Sequence, residues 1–461
     1  MSSLILSLKP EEIRLKLIKG ELTICVVGLG WMGLPTACLF AEAGANVVGV
    51  DVNSTTVEKV GRGECPIEEP RLNSILKANV RSGRLKVTTD LVEASSSSDV
   101  NIIIVPINVG ADRKPDYSAV KSSCSGIAKG MRRGCLVIFE STCAPGVTET
   151  LVKATLERFS GFRAGLDFGL AYSPIRAMSG RALDDLRNYC RVVGGFDERG
   201  LKAASAVLSA VVENRIVEVR DLKTAEASKI FESIYRDVNI ALANEFAIYC
   251  ENAGLDYFEA MHAANTQPYS HLHLPGVGVG GHCLPVYPYL LMDEAKRVSA
   301  KLTLVGAARK TNEEMPKHVV RVIADGLKAC RKSLARAKIT VLGVAYRANA
   351  NETRLSPAVE LIGLLKRRGA RVRVFDPKLT AEQIASMGYR AEATLRGAVG
   401  GADCVAVTVA HDEFRKLNII ELAVCMSKPS LLVDCAGMFN PFEVEKAGLV
   451  YRGVGRGILG R

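Results

Sequence analysis

Gly28-Leu-Gly30-Trp31-Met32-Gly33 lies between two apolar segments, Leu22 to Val27 and Ala45 to Val50, and no other feature restricts the fold of this chain as strongly. The first segment reads as a buried strand, and Leu34 to Ala43 as an apolar helix that Gly44 ends. A glycine triplet in this context is the dinucleotide fingerprint. The first glycine makes the turn, the second admits a pyrophosphate to the backbone, and the third packs helix on strand. Gly28, Gly30, Trp31, Met32 and Gly33 are therefore candidate cofactor contacts. Asp51 ends the second strand 18 residues after Gly33. An acid there binds both ribose hydroxyls and repels a 2′-phosphate, which favours NAD over NADP. Strand, helix, second strand and acid together separate this site from an ordinary glycine-rich turn.

The alternation continues. Apolar strands are expected at Val100 to Val105, Cys135 to Glu140 and Phe168 to Tyr172, separated by helices over Asp116 to Lys129 and Thr148 to Phe159. That pattern is α/β, with a doubly wound parallel sheet of Rossmann type. Pro106-Ile-Asn108 and Ser141-Thr142-Cys-Ala-Pro145 follow two of the strands, at the carboxyl edge where such sheets bind ligands. Pro106 and Thr142 become candidates for the cofactor, with capping of the next helix as the other reading of Thr142.

At 461 residues the chain is too long for one core. Thirteen cysteines, an odd number with no C-x-x-C, argue against a disulfide framework or a zinc module. No metal is expected, and the cysteine usage fits the reducing cytoplasm. The opening MSSLILSLKPEEIRLKLIKG is too charged for a signal peptide, and no segment reaches the apolar length of a membrane span. Sixty basic against 49 acidic residues give a formal charge of +11. The basic residues are scattered without interleaved aromatics, which speaks against nucleic acid as partner.

Two features follow the first α/β region. Lys223 to Asn252 contains neither Gly nor Pro and reads as one long helix, with Ile230, Ile234, Val238, Leu242 and Phe246 as its buried stripe. Lys229 and Ser233 stand four apart on one face, where the lysine can enter a cleft or stay in solvent. Next comes Pro275-Gly-Val-Gly-Val-Gly280-Gly-His-Cys283-Leu-Pro-Val-Tyr-Pro288. Its glycines let backbone approach a ligand, and Pro285 or Pro288 can open a helix just beyond, with the thiol near its positive end. Cys283 is then either a nucleophile, for which the thiolate is the reactive form, or a buried structural cysteine.

A second βαβ unit is expected from Ile339: strand to Tyr346, helix Pro357 to Arg367 capped by Ser356, strand Val372 to Phe375, with further strands at Cys404 to Val409 and Leu431 to Asp434. Its first turn, Gly343-Val-Ala-Tyr346-Arg347, lacks the glycine triplet. A different ligand is implied, such as a nucleoside diphosphate held by Arg347, although Arg347 also reads as a surface residue. The organisation is an N-terminal extension (1–20), an NAD-binding domain (21–215), a central helical domain (216–325) and a C-terminal Rossmann-like domain (326–461).

GLGWMGLPTA, ESTCAPGVTE, YSPIRAMSGRAL with RVVGG, SKIFESIYRDVNIALANE, PGVGVGGHCLPVYP and GVAYRANANETRLSPA are similar, in order, to motifs of the nucleotide-sugar 6-dehydrogenases. That family includes UDP-glucose and UDP-N-acetylhexosamine dehydrogenases, and the resemblance runs from about Leu22 to about Gly460. It implies two Rossmann-like domains joined by the long helix, a UDP-sugar substrate, and a homodimer formed through that central helix. It also implies a four-electron oxidation of the sugar C6 alcohol, as in polysaccharide biosynthesis. A hydride passes to NAD, Cys283 adds to the aldehyde, a second NAD takes the thiohemiacetal hydride, and water releases the acid from a thioester. Lys229 matches the family's lysine, which assists proton transfer and steadies the oxyanion. Arg354 matches an arginine near the cofactor, while Tyr346 and Arg347 fall near the UDP, with Arg176, Ser233 and Gly280 as further substrate contacts.

Several positions depart from the family. Its Pro-Glu-Arg is Pro174-Ile175-Arg176 here, its asparagine after the lysine is Ser233, and its aspartate after the cysteine is Tyr287. Tyr269-Ser270-His271 stands where an arginine is often donated to the neighbouring subunit. Hydride transfer survives these changes; water activation must come from elsewhere, and His271 or His282 can supply it or serve structurally. RDVNIALANE and GVGGHC resemble UDP-N-acetylmannosamine dehydrogenases more than UDP-glucose dehydrogenases of animal type. UDP-glucose is the second substrate expectation, and a non-catalytic protein that binds NAD and UDP-sugar is the alternative of another class.

Overall fold

A computed structural model describes residues 5–110 and 112–457. The chain divides into two compact units: the first extends to Glu232 and includes Tyr289–Ala300, and the second comprises Ser233–Pro288 and the chain from Lys301 onward. Each unit is built on one large sheet.

In the first unit, β1 (Thr23–Val27), β2 (Asn46–Val50), β3 (Leu85–Thr88) and β4 (Val100–Ile103) precede a small antiparallel pair, β5 (Asn108–Val109) and β6 (Pro115–Asp116). There follow β7 (Leu136–Phe139), β8 (Gly169–Tyr172), β9 (Arg191–Gly195) and β10 (Ile216–Val219). The sheet order is β3-β2-β1-β4-β7-β8-β9-β10. From β3 to β8 all neighbours are parallel, whereas β9 runs antiparallel to β8, with β10 parallel to β9. Both faces of a parallel sheet are covered by helices, so its strands are apolar throughout. Accordingly β4, β7 and β8 are buried at every position.

Two expected boundaries shift. Ile216 to Val219 pair with Arg191 to Gly194, so the first sheet continues past residue 215. At the other end, the Pro10–Ile18 helix buries Ile13 and Leu17 in the first unit's core, which makes it part of that unit rather than an appendage. Ile13 and Leu17 are four apart, one turn along the same face.

The second sheet has six parallel strands: β11 (Lys338–Leu342), β12 (Arg371–Phe375), β13 (Arg390–Ala391), β14 (Cys404–Val407), β15 (Leu431–Asp434) and β16 (Val450–Gly453). Their order, β13-β12-β11-β14-β15-β16, is the 3-2-1-4-5-6 arrangement of doubly wound folds, and the first sheet has the same order up to β8. β11 stops at Leu342 rather than at Tyr346, because Gly343 turns to φ +96°, outside extended backbone. Ser356 occupies the N-cap of the Pro357–Arg367 helix, but its hydroxyl donates to the Ala345 carbonyl instead of capping.

The long helix runs from Leu222 to Ala253, 32 residues, one beyond the expected limits at each end. Its buried stripe differs from the expected one. Ile230 and Ile234 are buried, but Leu242 is 37% exposed and Phe246 41%. A four-residue step advances ~400° around a helix, so four such steps drift by ~160° onto the opposite face. The buried positions instead mix steps of three and four: Ile230, Ser233, Asp237, Ala241, Asn244 and Ala247. A second long helix, Thr303–Ala329, contains Pro316.

Among the described residues no helix is long and apolar enough to cross a membrane. All thirteen cysteines are free; nine are buried, and Cys65, Cys190, Cys283 and Cys425 are partly exposed.

Candidate functional site

Sixteen residues expected at the site fall into two sets, one in each unit. The first contains Gly28, Gly30, Trp31, Met32, Gly33, Asp51, Pro106, Thr142, Arg176 and Lys229; the second contains Ser233, Gly280, Cys283, Tyr346, Arg347 and Arg354.

The three fingerprint glycines have three different surroundings. Gly28 adopts φ +96° and donates its N–H to the Val50 carbonyl at 2.8 Å, which turns the chain out of β1. A Cβ on Gly33 would lie 1.7 Å from the Gly28 carbonyl oxygen, so only glycine lets the Gly33–Glu42 helix start there. A Cβ on Gly30 would meet nothing within 4 Å. The open side of the turn is thus at the middle glycine, where a pyrophosphate would approach. Asp51 accepts from Leu29 N–H at 2.8 Å and from Asn53 N–H at 2.9 Å, is half-buried, and stands at the end of β2 where a ribose would lie. These residues fit a dinucleotide. Trp31 and Met32 are half-buried in the same turn, and Pro106 is exposed after β4.

Thr142 lies in the turn after β7, and its neighbours fix that turn. Ser141 Oγ donates to the Val105 carbonyl at 2.7 Å and accepts from Val105 N–H at 2.9 Å, tying the loops after β7 and β4 together. The other end is held by Glu226, a fully buried residue of the long helix that sequence reasoning missed. Its carboxylate accepts from Gly146 N–H and, at 2.7 Å and 2.5 Å, from the N–H and hydroxyl of Thr148. Burial pushes the Glu226 carboxyl up, against the opposing pull of those hydrogen bonds. Thr142 itself is no helix cap, since the helical stretch after it starts at Thr148 with Val147 before it.

Lys229 is 8% exposed, which removes the reading of a solvated lysine. Its Nζ lies 3.7 Å from Glu232 Oε1, one turn on, and Arg176 Nε donates to Glu232 Oε2 at 2.8 Å. Arg176 also donates to the Cys190 carbonyl at 3.3 Å. Lys229, Glu232 and Arg176 therefore form one charge cluster. The three-residue spacing of Lys229 and Glu232 was the available signal for Glu232. Ile175, beside Arg176 in sequence, is 9% exposed and packs in the apolar core.

In the second unit the Cys283 loop lies against the loop after β11. Gly281 N–H donates to the Arg354 carbonyl at 3.0 Å, and the His282 ring bonds Glu352. A Cβ on Gly280 would fall 2.7 Å from the Leu355 carbonyl oxygen, and one on Gly281 would fall 2.7 Å from the Tyr346 ring. Gly278 backs onto the Asn312 carbonyl, 2.8 Å from its would-be Cβ. That carbonyl lacks its usual helical donor because residue 316 is proline. The glycines thus admit protein backbone and an aromatic ring, rather than a ligand as the sequence suggested. At its start the loop is fixed by Asn244, whose side chain accepts from Gly276 N–H at 2.9 Å and donates to Asn312 at 2.9 Å. Asn312 in turn donates to Asp237, which pairs with buried Arg309 at 2.6 Å.

Cys283 is partly exposed at the end of this loop. Its carbonyl accepts from Tyr287 N–H at 2.8 Å, starting a turn that leads into the Tyr287–Arg297 helix. Tyr346 and Arg347 are half-buried on the facing loop, with Arg347 Nε donating to the Tyr346 hydroxyl at 3.1 Å; Arg354 is exposed. The structure therefore gathers Gly280, Cys283, Tyr346, Arg347 and Arg354 around one pair of loops. Ser233, on the long helix, is buried.

Comparison with known families gives three consecutive matches to the UDP-glucose/GDP-mannose dehydrogenase family: its NAD binding domain over residues 22–212, its central domain over 223–314 and its UDP binding domain over 340–441. The chain belongs to this family. Among its relatives, the UDP-N-acetyl-D-mannosamine dehydrogenase of Pyrococcus horikoshii is 37% identical over 434 residues, covering 94% of this chain and 99% of that protein. The solved structure of that enzyme has a TM-score of 0.87 at 36% identity, with 94% and 99% of the two chains covered. A UDP-glucose dehydrogenase from Pyrobaculum islandicum has a TM-score of 0.84 at 27% identity, with 94% and 98% covered. The family's NAD binding domain contains the Gly28–Gly33 turn and Asp51, and its UDP binding domain contains Tyr346, Arg347 and Arg354. Cys283 and Lys229 both fall in its central domain.

Proposed function

We propose that this chain oxidises the C6 hydroxyl of UDP-N-acetylmannosamine, or a close UDP-N-acetylhexosamine, to the carboxylate. The observation that carries the reading is the pairing of two loops in the second unit. A partly exposed cysteine ends one, and the other bears Tyr346, Arg347 and Arg354 in the UDP binding domain. The choice of sugar is supported by the 37% identity to an enzyme named for UDP-N-acetyl-D-mannosamine; UDP-glucose is the second candidate, from the 27% identical neighbour.

The Gly28–Gly33 turn and Asp51 would hold NAD, which would supply the hydride acceptor for each of two oxidations. The remaining chemistry belongs to side chains. Lys229, buried and charge-paired, steadies the oxygen at C6 as it loses its proton and again as it becomes an oxyanion. Cys283 Sγ adds to the aldehyde carbon, which keeps the sugar in place between the two oxidations. The second oxidation leaves a thioester, and water cleaves its C–S bond to give the acid. Arg347 and Tyr346 contact the UDP, with the Arg347 guanidinium suited to diphosphate oxygens; Ser233 and Arg176 complete the substrate contacts, and Arg354 lies on the cofactor side.

Purified protein, NAD and a panel of UDP-sugars should give two NADH for each sugar acid, and Cys283→Ser should form no acid. A Cys283→Ser protein with full acid output would refute the mechanism. NAD binding without NADH from any sugar would mark a binding protein instead.

The long helix also supports a homodimer. Phe231, Tyr235, Leu242, Phe246 and Tyr249 are 37–64% exposed, and their spacing keeps them within ~60° of one another around the helix. An apolar stripe of this size on a helix is suited to burial against a second copy. Light scattering should show a dimer that Phe246→Asp weakens; a wild-type monomer at micromolar concentration would remove the proposal.

A further inference from the structure

Cleavage of a thioester by water requires a group that takes the water proton, and the residues in sequence positions suited to that task are poor bases. Ile175 has no acceptor and lies in the core, and the Tyr287 phenol is a weak base at neutral pH. The loop that carries Cys283 provides another group. His282, the preceding residue, bonds through Nε2 to Glu352 Oε1, and its side chain is 38% exposed.

The geometry determines which nitrogen is available. A neutral imidazole that faces a carboxylate through Nε2 donates that N–H and keeps its lone pair on Nδ1. Glu352 thus holds both the tautomer and the ring, while the ring's exposed fraction gives water access. The pair does not hang on flexible chain. Gly281 N–H to the Arg354 carbonyl at 3.0 Å and Tyr346 N–H to the Glu352 carbonyl at 2.9 Å bracket it on both loops.

We propose that His282 is the base that activates water for release of the acid from Cys283, with Glu352 as its positioning residue. This inference rests on the function proposed above. His282 Nδ1 takes a proton as the water oxygen bonds to the thioester carbon. The tetrahedral adduct then collapses, the C–S bond breaks, and the leaving sulfur takes the proton back from the imidazolium. The acid ionises into solvent, and His282 and Cys283 are restored without an outside reagent. Positioned bases of this kind contribute about 10²- to 10⁴-fold.

The test is a rapid-quench experiment with NAD and UDP-N-acetylmannosamine on wild type, His282→Gln and Glu352→Gln, reading NADH and the intact mass of the protein. His282→Gln should release two NADH per site in a burst and then slow by about 10²-fold or more. An acyl adduct on Cys283 should accumulate, and hydroxylamine, which attacks without a base, should discharge it as the hydroxamate. Glu352→Gln should show the same adduct with a smaller slowing, about 10-fold. Thermal melts of both variants check folding, and the burst itself reports an intact site. Three outcomes overturn the inference: His282→Gln turnover at the wild-type rate, a variant that folds but gives neither burst nor adduct, or an adduct that Glu352→Gln never forms. Wild type that makes no NADH from any UDP-sugar overturns the proposed function as well, and so is distinct from failure of the His282 step alone.

Discussion

The turn after β1 and the turn after β11 begin alike and end differently. Gly28 and Gly343 both adopt φ +96°, and each donates to the last carbonyl of the neighbouring strand, Val50 at 2.8 Å and Phe375 at 2.9 Å. In both, an aspartate just past that strand accepts from the turn: Asp51 from Leu29 N–H, Asp376 from Val344 and Ala345 N–H. Asp51 is half-buried, whereas Asp376 is 1% exposed and also takes Lys378 N–H and the ring of His411. The difference comes from the next loop along the sheet. After β4 the chain has Val105 and Pro106; after β14 it has His411, fully buried, with Nδ1 accepting from Asn349 N–H at 3.0 Å and Nε2 facing Asp376. One imidazole makes the carboxylate at this place in the frame an internal brace for the 346–354 loop. The backbone frame can therefore be shared while the ligand is decided by what reaches the aspartate.

Removing the brace should have the largest effect. Asp376→Ala leaves two backbone N–H groups and an imidazole buried without their acceptor, and should cost about 3 kcal/mol in urea unfolding. A variant as stable as wild type would show that Asp376 braces nothing. The pH dependence has a definite sign. Burial pushes the Asp376 carboxyl up, but the hydrogen bonds from His411 and the two amides outweigh it and hold it below the usual range. Its contribution is therefore complete above the unfolded value of ~3.9 and is lost as pH falls through the lower folded value. Wild type should lose stability in that acid window by more than Asp376→Ala does; parallel profiles would contradict the assignment. Asp51→Asn should change stability by less than about 1 kcal/mol, since a half-buried amide can still accept from Leu29. It should weaken NAD by about 10-fold, about 1.4 kcal/mol, and narrow the preference over NADP. An unchanged NAD titration would show that Asp51 does not hold the ribose.

Much of this frame was legible in the sequence because the signals are local. Apolar runs bounded by glycine placed β1, β2 and the Leu222–Ala253 helix within one residue. Where local spacing was pushed further it misled: a four-residue repeat drifts around a helix, and a strand read to Tyr346 ends where Gly343 takes positive φ. Of the candidate site, only residues with a sequence pattern around them were named from the sequence, including Cys283, Lys229 and the fingerprint. Their partners were not. Glu352 meets His282 across 70 positions, Glu232 meets Arg176 across 56, and His411 meets Asp376 across 35. Sequence spacing carries no sign of such pairs, because strand order brings them together.

The cysteines give each unit a built-in reporter of its own opening. A thiol reagent meets four partly exposed cysteines in the native fold, while Cys25 and Cys135 are sealed in the first unit and Cys404 and Cys435 in the second. Burial also raises the Cys25 and Cys135 thiols to about 12, leaving almost no thiolate at neutral pH while the sheet is closed. Peptide-resolved labelling over time would thus clock the breathing of the two sheets separately, with no probe added to the chain.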